Sequence, residues 1–574
     1  VPALNLSSTR KIGWTETSLE IAVALALAAT AWALYHPVLR LWWMDDDFYH
    51  LRHLLTGPAG WYLYSAAEYH RLETKVLTPL FFLSMDADRR LFGLVPYPFY
   101  VHQLVSLMLA PVALYGGMRI WLPRWWAAAG AWIFVVGPVT ASLAPLLMVR
   151  HYVEAVLLGA LAVAAWARAV RLQGNGQGWR ARGFAWTSAA LYLAACLAKE
   201  IAIPLAALLP FLPAPAGARP VPLAARLRLA LPHGAMLGLY AVLRSVTMST
   251  FLGGYGFKVD PARLPAVALA QPGRIAAELV GHQASLASGV FLAALAAGIL
   301  ALLGFRKRPA LLRLGGALLL ALLPVLPVAT QVEPRHALAA WIVVAVAFAV
   351  GGRALAESGR RRLAIGLAAV ACLAGVAVNR QDWRVRFAAV ERRSAENRFV
   401  LALREGDVLR GAQTVAASLA ELRWMKEKVF HLPPGGRWFQ DDYYLCAHPE
   451  PLGRVWSWDP EARRVADVTP RIPDLRNQYC SEIRAGAPLA AHFHVSGGVL
   501  RWELGPHPDG TYSFLLGDGA VGIFGMPRQA GFYLHGLQPL ALRVKYESPA
   551  GWLAVSPELS VPGAEGTDVR WRRE

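Results

Sequence analysis

Apolar residues gather along this chain in long uninterrupted blocks separated by short polar connections. Blocks of roughly membrane length lie near 19–42, 98–118, 125–146, 152–170, 184–198, 201–213, 229–248, 284–305, 310–330, 337–352 and 363–379. Read as helices, they predict about eleven crossings of a bilayer. The sixth block is short, follows Lys199-Glu200 and contains Pro204, which predicts a broken or re-entrant helix. Beyond Asn379 the pattern changes. A charged stretch with helical patterning runs from 382 to about 428, and apolar and polar residues then alternate over 492–495, 499–503, 512–516 and 542–546. Alternation reads as strands, with turns at Pro508-Asp509-Gly510 and Asp518-Gly519. The expected architecture is a polytopic α-helical membrane domain over 1–380, with a first outer loop at about 43–97. A C-terminal extracytoplasmic α+β domain over 381–574 follows, built as a small β-sandwich.

Composition agrees: the 574 residues are 56% hydrophobic and only 17% charged, which fits a multi-pass membrane protein. The net charge of +19 does not point to nucleic acid, because Lys and Arg cluster in the short connections, where they record orientation. One set of alternate connections carries Arg119 and Arg124, then Arg168, Arg171, Arg180 and Arg182, then Arg219, Arg226 and Arg228. It continues with Arg306, Lys307, Arg308 and Arg313, and with Arg353 and Arg360 to Arg362. The opposite set holds Asp45 to Asp47, Glu73, Asp86, Asp88, Asp260 and Glu333. This sorting places the N-terminus in the cytoplasm of a bacterial-style inner (plasma) membrane, and an odd number of crossings places everything after Asn379 outside. Arg10-Lys11 ahead of the first block also has the outline of a secretory signal, with Ala31-Trp32-Ala33 as a poor cleavage site, but the block exceeds the usual core of about 7 to 15 residues. Cys196 and Cys372 lie in apolar blocks and read as small hydrophobes. Cys446 and Cys480 belong to the domain placed outside, where thiols are oxidised, so a disulfide between them is expected. Trp438, Phe439, Tyr443 and Tyr444 could stack on a sugar, though such residues more often fill the core of a small domain.

Candidate chemistry begins at Asp45, Asp46 and Asp47, which follow the first block directly and set three carboxylates at the lipid–water boundary. Ionisable groups there are costly and are functional candidates by default. Asp47 can cap a short helix over 48–55, ended by Gly57-Pro58, where the helix dipole favours an acid. Capping accounts for Asp46 or Asp47 and leaves another acid for chemistry. Further ionisable residues sit at the expected outer ends of crossings: Arg150, His151 and Glu154, then Lys199 and Glu200, then Glu333, Arg335 and His336. One such cation can simply snorkel to the interface, whereas three cationic sites on one side suit an anionic substrate. Lys199 and Glu200, as neighbours on a helix, are not expected to pair with each other. A lipid-linked phosphate fits this mixture. Cleaving a polyprenyl-phosphate sugar at its anomeric carbon expels a phosphate, which leaves without a proton if cations stabilise it. Only a base is then needed, whereas hydrolysis of a glycoside calls for a second carboxyl as acid.

With these residues placed, the chain resembles the GT-C superfamily of integral-membrane glycosyltransferases, nearest to the protein O-mannosyltransferase-like and tetratricopeptide-type transmembrane O-mannosyltransferases. The likeness rests on Trp43-Met44-Asp45-Asp46-Asp47, on Thr78-Pro79-Leu80 through Leu91-Phe92-Gly93-Leu94-Val95-Pro96, on Ala198-Lys199-Glu200 with Pro204, and on Glu333-Pro334-Arg335-His336. It covers roughly the first 380 residues. It implies a GT-C-like fold and transfer of a sugar, with inversion, from a polyprenyl-phosphate donor to an extracytoplasmic protein, lipid or glycan. Asp45 would be the catalytic base with Asp46 beside it, and Arg150, His151, Lys199, Arg335 and His336 would bind the donor phosphate. Thr78 stands where such chains usually have Arg, and His336 where they have Tyr, so the sugar is left open. No tetratricopeptide spacing is present after residue 380.

Two other readings compete. A transporter or assembly scaffold would place its charges at mid-membrane depth and repeat its halves, whereas here they gather at outer ends and no halves repeat. A ligase using a lipid-diphosphate oligosaccharide would need a larger donor cavity. Asp45 and Asp46 could hold a divalent cation through oxygen ligands, but no Asp/Glu/His set with ligand spacing accompanies them, and the pattern itself requires no cofactor.

Overall fold

Where water is excluded, a segment must satisfy its own backbone hydrogen bonds, and the Ala- and Leu-rich blocks do so as helices. In the computed structural model, residues 14–57, 65–71, 76–248, 285–304, 308–328, 333–413, 416–433, 435–496, 499–517, 519–533 and 539–574 are described. The expectations for Arg10, Lys11, Glu73, Asp260, Arg306, Lys307 and Asp518 lie outside them. The helices before residue 401 are α1 (Trp14–Tyr35), α2 (Asp47–Thr56), α3 (Ala66–Arg71), α4 (Pro79–Phe92), α5 (Pro96–Arg119), α6 (Arg124–Val136), α7 (Pro138–Leu143), α8 (Arg150–Gly174), α9 (Gly178–Ala198), α10 (Leu205–Leu208), α11 (Leu223–Met248), α12 (Leu286–Gly304), α13 (Arg308–Leu322), α14 (Leu338–Glu357) and α15 (Arg361–Val400).

Among the described residues, six helical segments are long and apolar enough to cross a membrane: Glu16–Arg40, Pro96–Arg119, Leu147–Gly174, Leu223–Met248, Pro334–Glu357 and Arg361–Val400. Shorter apolar helices cover Glu200–Phe211, Leu286–Leu302 and Pro309–Val325. The architecture is that of a multi-pass helical membrane protein with a C-terminal β domain. Block 125–146 is not one helix, because Gly137-Pro138 interrupts it and Pro138, lacking an N–H, starts α7. Block 201–213 is broken into the short turns Glu200–Ala202 and Leu209–Phe211 around α10, with Pro204 at the break. Helices α12 and α14 touch backbone to backbone: a Cβ at Gly351 would stand 1.8 Å from the Gly298 carbonyl oxygen, so only glycine fits.

The chain forms two compact units, one of Val1–Leu41 and Leu54–Ala388, the other of Trp42–His53 and Ala389–Glu574. In the second unit the charged stretch expected as one helix from 382 to 428 is divided. Helix α15 runs without a break from the last apolar block to Val400, then β1 (Val408–Arg410) intervenes before α16 (Ala416–Lys428). Strand β1 is the parallel partner of both β2 (Arg437–Phe439) and β3 (Val455–Asp459), and β4 (Arg464–Asp467) closes the sheet antiparallel to β3. Against this sheet pack α17 (Tyr443–Ala447) and α18 (Ile472–Glu482), with Val408, Phe439, Tyr444, Leu445, Val455 and Ile472 as the core. Phe439 and Tyr444 stack 4.8 Å apart inside it, so these two aromatics serve packing.

The remaining strands make two facing sheets. One has the order β11 (Leu553–Val555), β10 (Leu540–Glu547), β7 (Thr511–Leu516), β8 (Val521–Met526), with β12 (Leu559–Val561) also on β10. The other has the order β13 (Asp568–Arg573), β5 (Leu489–Ser496), β6 (Val499–Gly505), β9 (Gln529–Tyr533). Burial alternates strictly along β5, and Phe493, Trp502 and Phe514 meet between the sheets at 5.4–5.6 Å. This is a β-sandwich. It joins the smaller sheet through a buried ion pair: Lys545 Nζ on β10 lies 2.5 Å from Asp441 Oδ2, while Asp441 Oδ1 accepts from the Tyr479 hydroxyl at 2.7 Å and the Tyr443 N–H at 2.9 Å. Burial first, and then the Asp441 charge, push the Tyr479 phenol far above its ordinary range.

Cys446 on α17 and Cys480 on α18 are joined by a disulfide, with Cα atoms 5.8 Å apart and a sequence separation of 34. Closing a loop of that length stabilises by about 3 to 4 kcal/mol in the chain-entropy model. Replacing both cysteines by Ser is therefore expected to lower the denaturant midpoint of this unit, measured on the full chain by Trp fluorescence. An unchanged midpoint would show that the bond contributes no such constraint.

Candidate functional site

The apolar block that forms α1 ends in a short 3-10 turn at His36–Arg40, and four residues later the chain reaches Asp45. The three acids have different environments. Asp45 and Asp47 are buried and Asp46 is exposed. Asp47 opens α2, and its Oδ2 accepts the Met44 N–H at 3.0 Å, so it ties the helix to the residues before it. The Asp46 carbonyl accepts from the His50 N–H at 2.9 Å, in the first turn of α2. Two of the three acids are thus used by the helix start, Asp47 through its side chain and Asp46 through its backbone. Burial pushes the His50 imidazole down to about 4, so it is neutral at neutral pH and adds no positive charge to this segment.

Asp45 differs from both. Its φ is +46°, in the left-handed region that L-residues seldom occupy, and such geometry persists only where neighbours hold it. The holding groups come from the end of α15. Arg393 Nη1 donates to Asp45 Oδ2 at 2.8 Å, Ser394 Oγ accepts the Trp42 N–H at 2.6 Å, and Asn397 Nδ2 donates to the Trp43 carbonyl at 3.1 Å. Ser394 and Asn397 are buried, and Trp43 is wholly so. Further along α2, Arg52 Nη1 donates to both Glu421 oxygens at 2.9 Å, and the Arg52 Cζ lies 4.8 Å from the Trp424 ring centre on α16. One carboxylate is thereby fixed in orientation by a charge-assisted bond and a strained backbone, beside a water-exposed acid.

In the other unit, Arg150 at the start of α8 is completely buried, with Nη1 2.5 Å from Asp88 Oδ2 on α4 and Nη2 2.8 Å from the Phe99 carbonyl. His102 Nδ1 stands 2.9 Å from the other Asp88 oxygen, and Ser84 donates to Glu154 at 2.6 Å. Within the helix packing the Arg150 charge is matched by Asp88. His151 packs edge-on to Phe81, with ring centres 5.1 Å apart, and its other near ring is Tyr152. His336 accepts the Glu333 N–H through Nδ1 at 3.0 Å and closes a reciprocal cap on the 3-10 turn Pro334–Ala337 that leads into α14. Both histidines thus make structural contacts on their own elements.

Lys199 and Arg335 differ. Lys199 caps α9 in an extended conformation, with φ −155° and ψ 136°, and this lets its Nζ approach Glu200 to 3.2 Å. The expectation that these neighbours do not pair assumed a helix and is corrected. The ammonium also lies 5.0 Å from the Tyr152 ring centre. Arg335 Nη2 pairs with Glu333 at 2.9 Å, and that glutamate side chain is 46% exposed. Among the described residues no three His, Cys, Asp or Glu side chains gather closely enough to hold a metal ion. Among the described residues a cation at Asp45 and Asp46 therefore finds no third ligand of these types.

No protein-family profile matches this chain, and no curated protein does. Two solved structures are similar to it in chain path. The oligosaccharyltransferase of Archaeoglobus fulgidus, crystallised with Zn and sulfate, is 11% identical, with 88% of this chain and 73% of that one covered at a TM-score of 0.39. ArnT from Cupriavidus metallidurans bound to undecaprenyl phosphate is 15% identical, with 84% and 93% covered at a TM-score of 0.36. Likenesses this loose leave the chemistry to be read from the residues themselves.

Arg393, Ser394 and Asn397 are the residues that sequence reasoning missed. Their signal is faint but physical. Ser and Asn are weak helix formers, and here they stand one turn apart in a helix otherwise rich in Arg and Glu, where a solvated face would favour neither.

Proposed function

We propose that this chain is a GT-C-type glycosyltransferase that moves a sugar from a polyprenyl-phosphate carrier to an extracytoplasmic acceptor, with inversion and with Asp45 as general base. The observation that carries this reading is the buried carboxylate of Asp45, held in a left-handed turn by Arg393 directly after a membrane-length helix. Displacing a phosphate from an anomeric carbon needs one base and no acid, since cations can take the leaving charge. In the reaction proposed, the acceptor hydroxyl loses its proton to Asp45 Oδ1 or Oδ2 as its oxygen attacks the anomeric carbon. The bond from that carbon to the phosphate oxygen breaks, and both electrons leave with the phosphate. Lys199 and Arg335, beside Glu200 and Glu333, are assigned to the phosphate as cations at the expected outer ends of crossings. The test is transfer in vitro: purified protein, radiolabelled polyprenyl-phosphate sugars and an extracytoplasmic extract from cells lacking the chain. No transfer from any polyprenyl-phosphate sugar would overturn the reading.

Arg393 acts here as a positioning residue. Arg393→Ala is expected to lower kcat on the order of 10- to 100-fold with little change in KM for the donor, as a misplaced reacting group does. Arg393→Lys should recover part of the loss, because the charge remains while the planar fork is gone. An equal fall in folding yield and activity for both variants would assign the pair to stability alone.

The same reading needs the C-terminal unit outside. A cysteine introduced at Gly510 is expected to react with an impermeant maleimide in intact spheroplasts, and one at Gly176 to be shielded. The reverse pattern would remove the outer-face chemistry altogether.

A further inference from the structure

Helix α15 keeps one face bare of protein. Leu363, Ile365, Val370 and Leu373 are 58%, 54%, 45% and 73% exposed along its apolar half, the pattern of a side turned to lipid. The apolar run ends at Asn379, and the same side continues through Ala377, Arg380 and Arg384, all exposed. A shallow groove of about 530 Å³ lies there, with Leu373, Val376 and Ala377 along one end and Arg380, Gln381 and Arg384 along the other.

The two arginines stand out by what they lack. Neighbouring charges on the helix are matched: Asp382 binds Arg386 at 2.6 Å, Glu396 binds Arg392 at 2.7 Å, Glu391 binds Arg463, and Arg393 binds Asp45. Among the described residues Arg380 and Arg384 have no acid partner. They lie four residues apart, one turn of helix, so both guanidiniums can reach one anion. Asp382, between them in sequence, is buried and binds Arg386.

We propose that Arg380 and Arg384 bind the phosphate of an anionic glycerophospholipid whose first acyl methylenes lie along Leu373, Val376 and Ala377. A rise of 1.5 Å per residue puts Leu373 roughly 10 Å below Arg380, about the span from a headgroup phosphate into hydrocarbon. A lone arginine at a helix end reaches the interface without choosing a ligand. Two unmatched ones over a groove form a bidentate phosphate site, and the planar fork of Arg suits that geometry better than Lys. The bare face below the groove opens to the bilayer at large, so the occupant is a bulk phospholipid. This site stands independently of the glycosyl-transfer reading.

The experiment is native mass spectrometry of the full chain in non-ionic detergent, titrated with phosphatidylglycerol, phosphatidylcholine and undecaprenyl phosphate. The wild-type protein is expected to retain phosphatidylglycerol over phosphatidylcholine. The double variant R380Q/R384Q should lose on the order of 10- to 30-fold in phosphatidylglycerol affinity, given the usual contribution of a cation at an anionic surface, and none for phosphatidylcholine. If the double variant fails to fold, Arg384→Gln alone should show a several-fold loss. Equal retention of the two phospholipids, or an unchanged affinity in the variants, would overturn the proposal. So would preferential displacement of phosphatidylglycerol by undecaprenyl phosphate, which would make the groove a carrier-lipid site.

Discussion

Asp45→Asn is expected to reduce sugar transfer by roughly 100- to 10,000-fold, the range lost when a general base is removed. The substitution keeps shape and the capacity to accept from Arg393, so the left-handed turn should persist and donor binding should survive. Asp46→Asn, at an exposed carboxylate, should cost far less. Asp47→Asn weakens the bond to the Met44 N–H and should show mainly as reduced stability. The measurement is single-turnover transfer from a polyprenyl-phosphate sugar, with donor affinity determined separately. A near-normal rate in Asp45→Asn together with a dead Asp46→Asn would move the base one residue along the chain. Normal rates in both would sink the mechanism.

The second large effect concerns stability. Asp441→Ala is expected to destabilise the C-terminal unit by about 3 to 5 kcal/mol, because it leaves the Lys545 ammonium buried without its close partner. The other nearby groups, the Tyr479 hydroxyl at 3.4 Å and Glu547 at 3.8 Å, are too distant to replace a 2.5 Å ion pair. Adding Lys545→Met removes the stranded charge while keeping an apolar chain of similar length, so the double variant should be more stable than the single one. Denaturant unfolding of the full chain, with the sandwich Trp residues as reporters, compares the two. A double variant no better than Asp441→Ala would show that the loss comes from packing and not from the orphaned charge.

What the chain's pattern reveals depends on how local its cause is. Helices α5, α8, α11 and α14 follow from composition alone, since a long apolar run has few other ways to satisfy its backbone in lipid. Strand β5 is equally plain, because one of its faces is buried and alternation records it, whereas β7 buries four residues in a row. Strand β1 is three residues long, begins with two buried ones and pairs in parallel on both sides, so no alternation betrays it. The acids at 45–47 stand out in sequence because carboxylates beside an apolar block are costly. Their division of labour does not, since it rests on one backbone angle at Asp45 and on Arg393, 348 residues away. The pairing of Lys199 with Glu200 was hidden for a similar reason: the helix stops at Ala198, and Lys199, being extended, obeys different neighbour rules.

The segment Trp42–His53 belongs to the unit that is otherwise made of the last part of the chain. During synthesis it therefore emerges long before the residues that hold it. At ordinary elongation rates of about 5 to 20 residues per second, the 348 residues between Asp45 and Arg393 take roughly 20 to 70 seconds to appear. Through that interval the acid lacks its support, and a nascent or truncated chain would carry the residues for chemistry without the geometry for it. Chimaeras that exchange C-terminal domains face the same condition, because a working junction must carry residues 42–53 together with everything after 388.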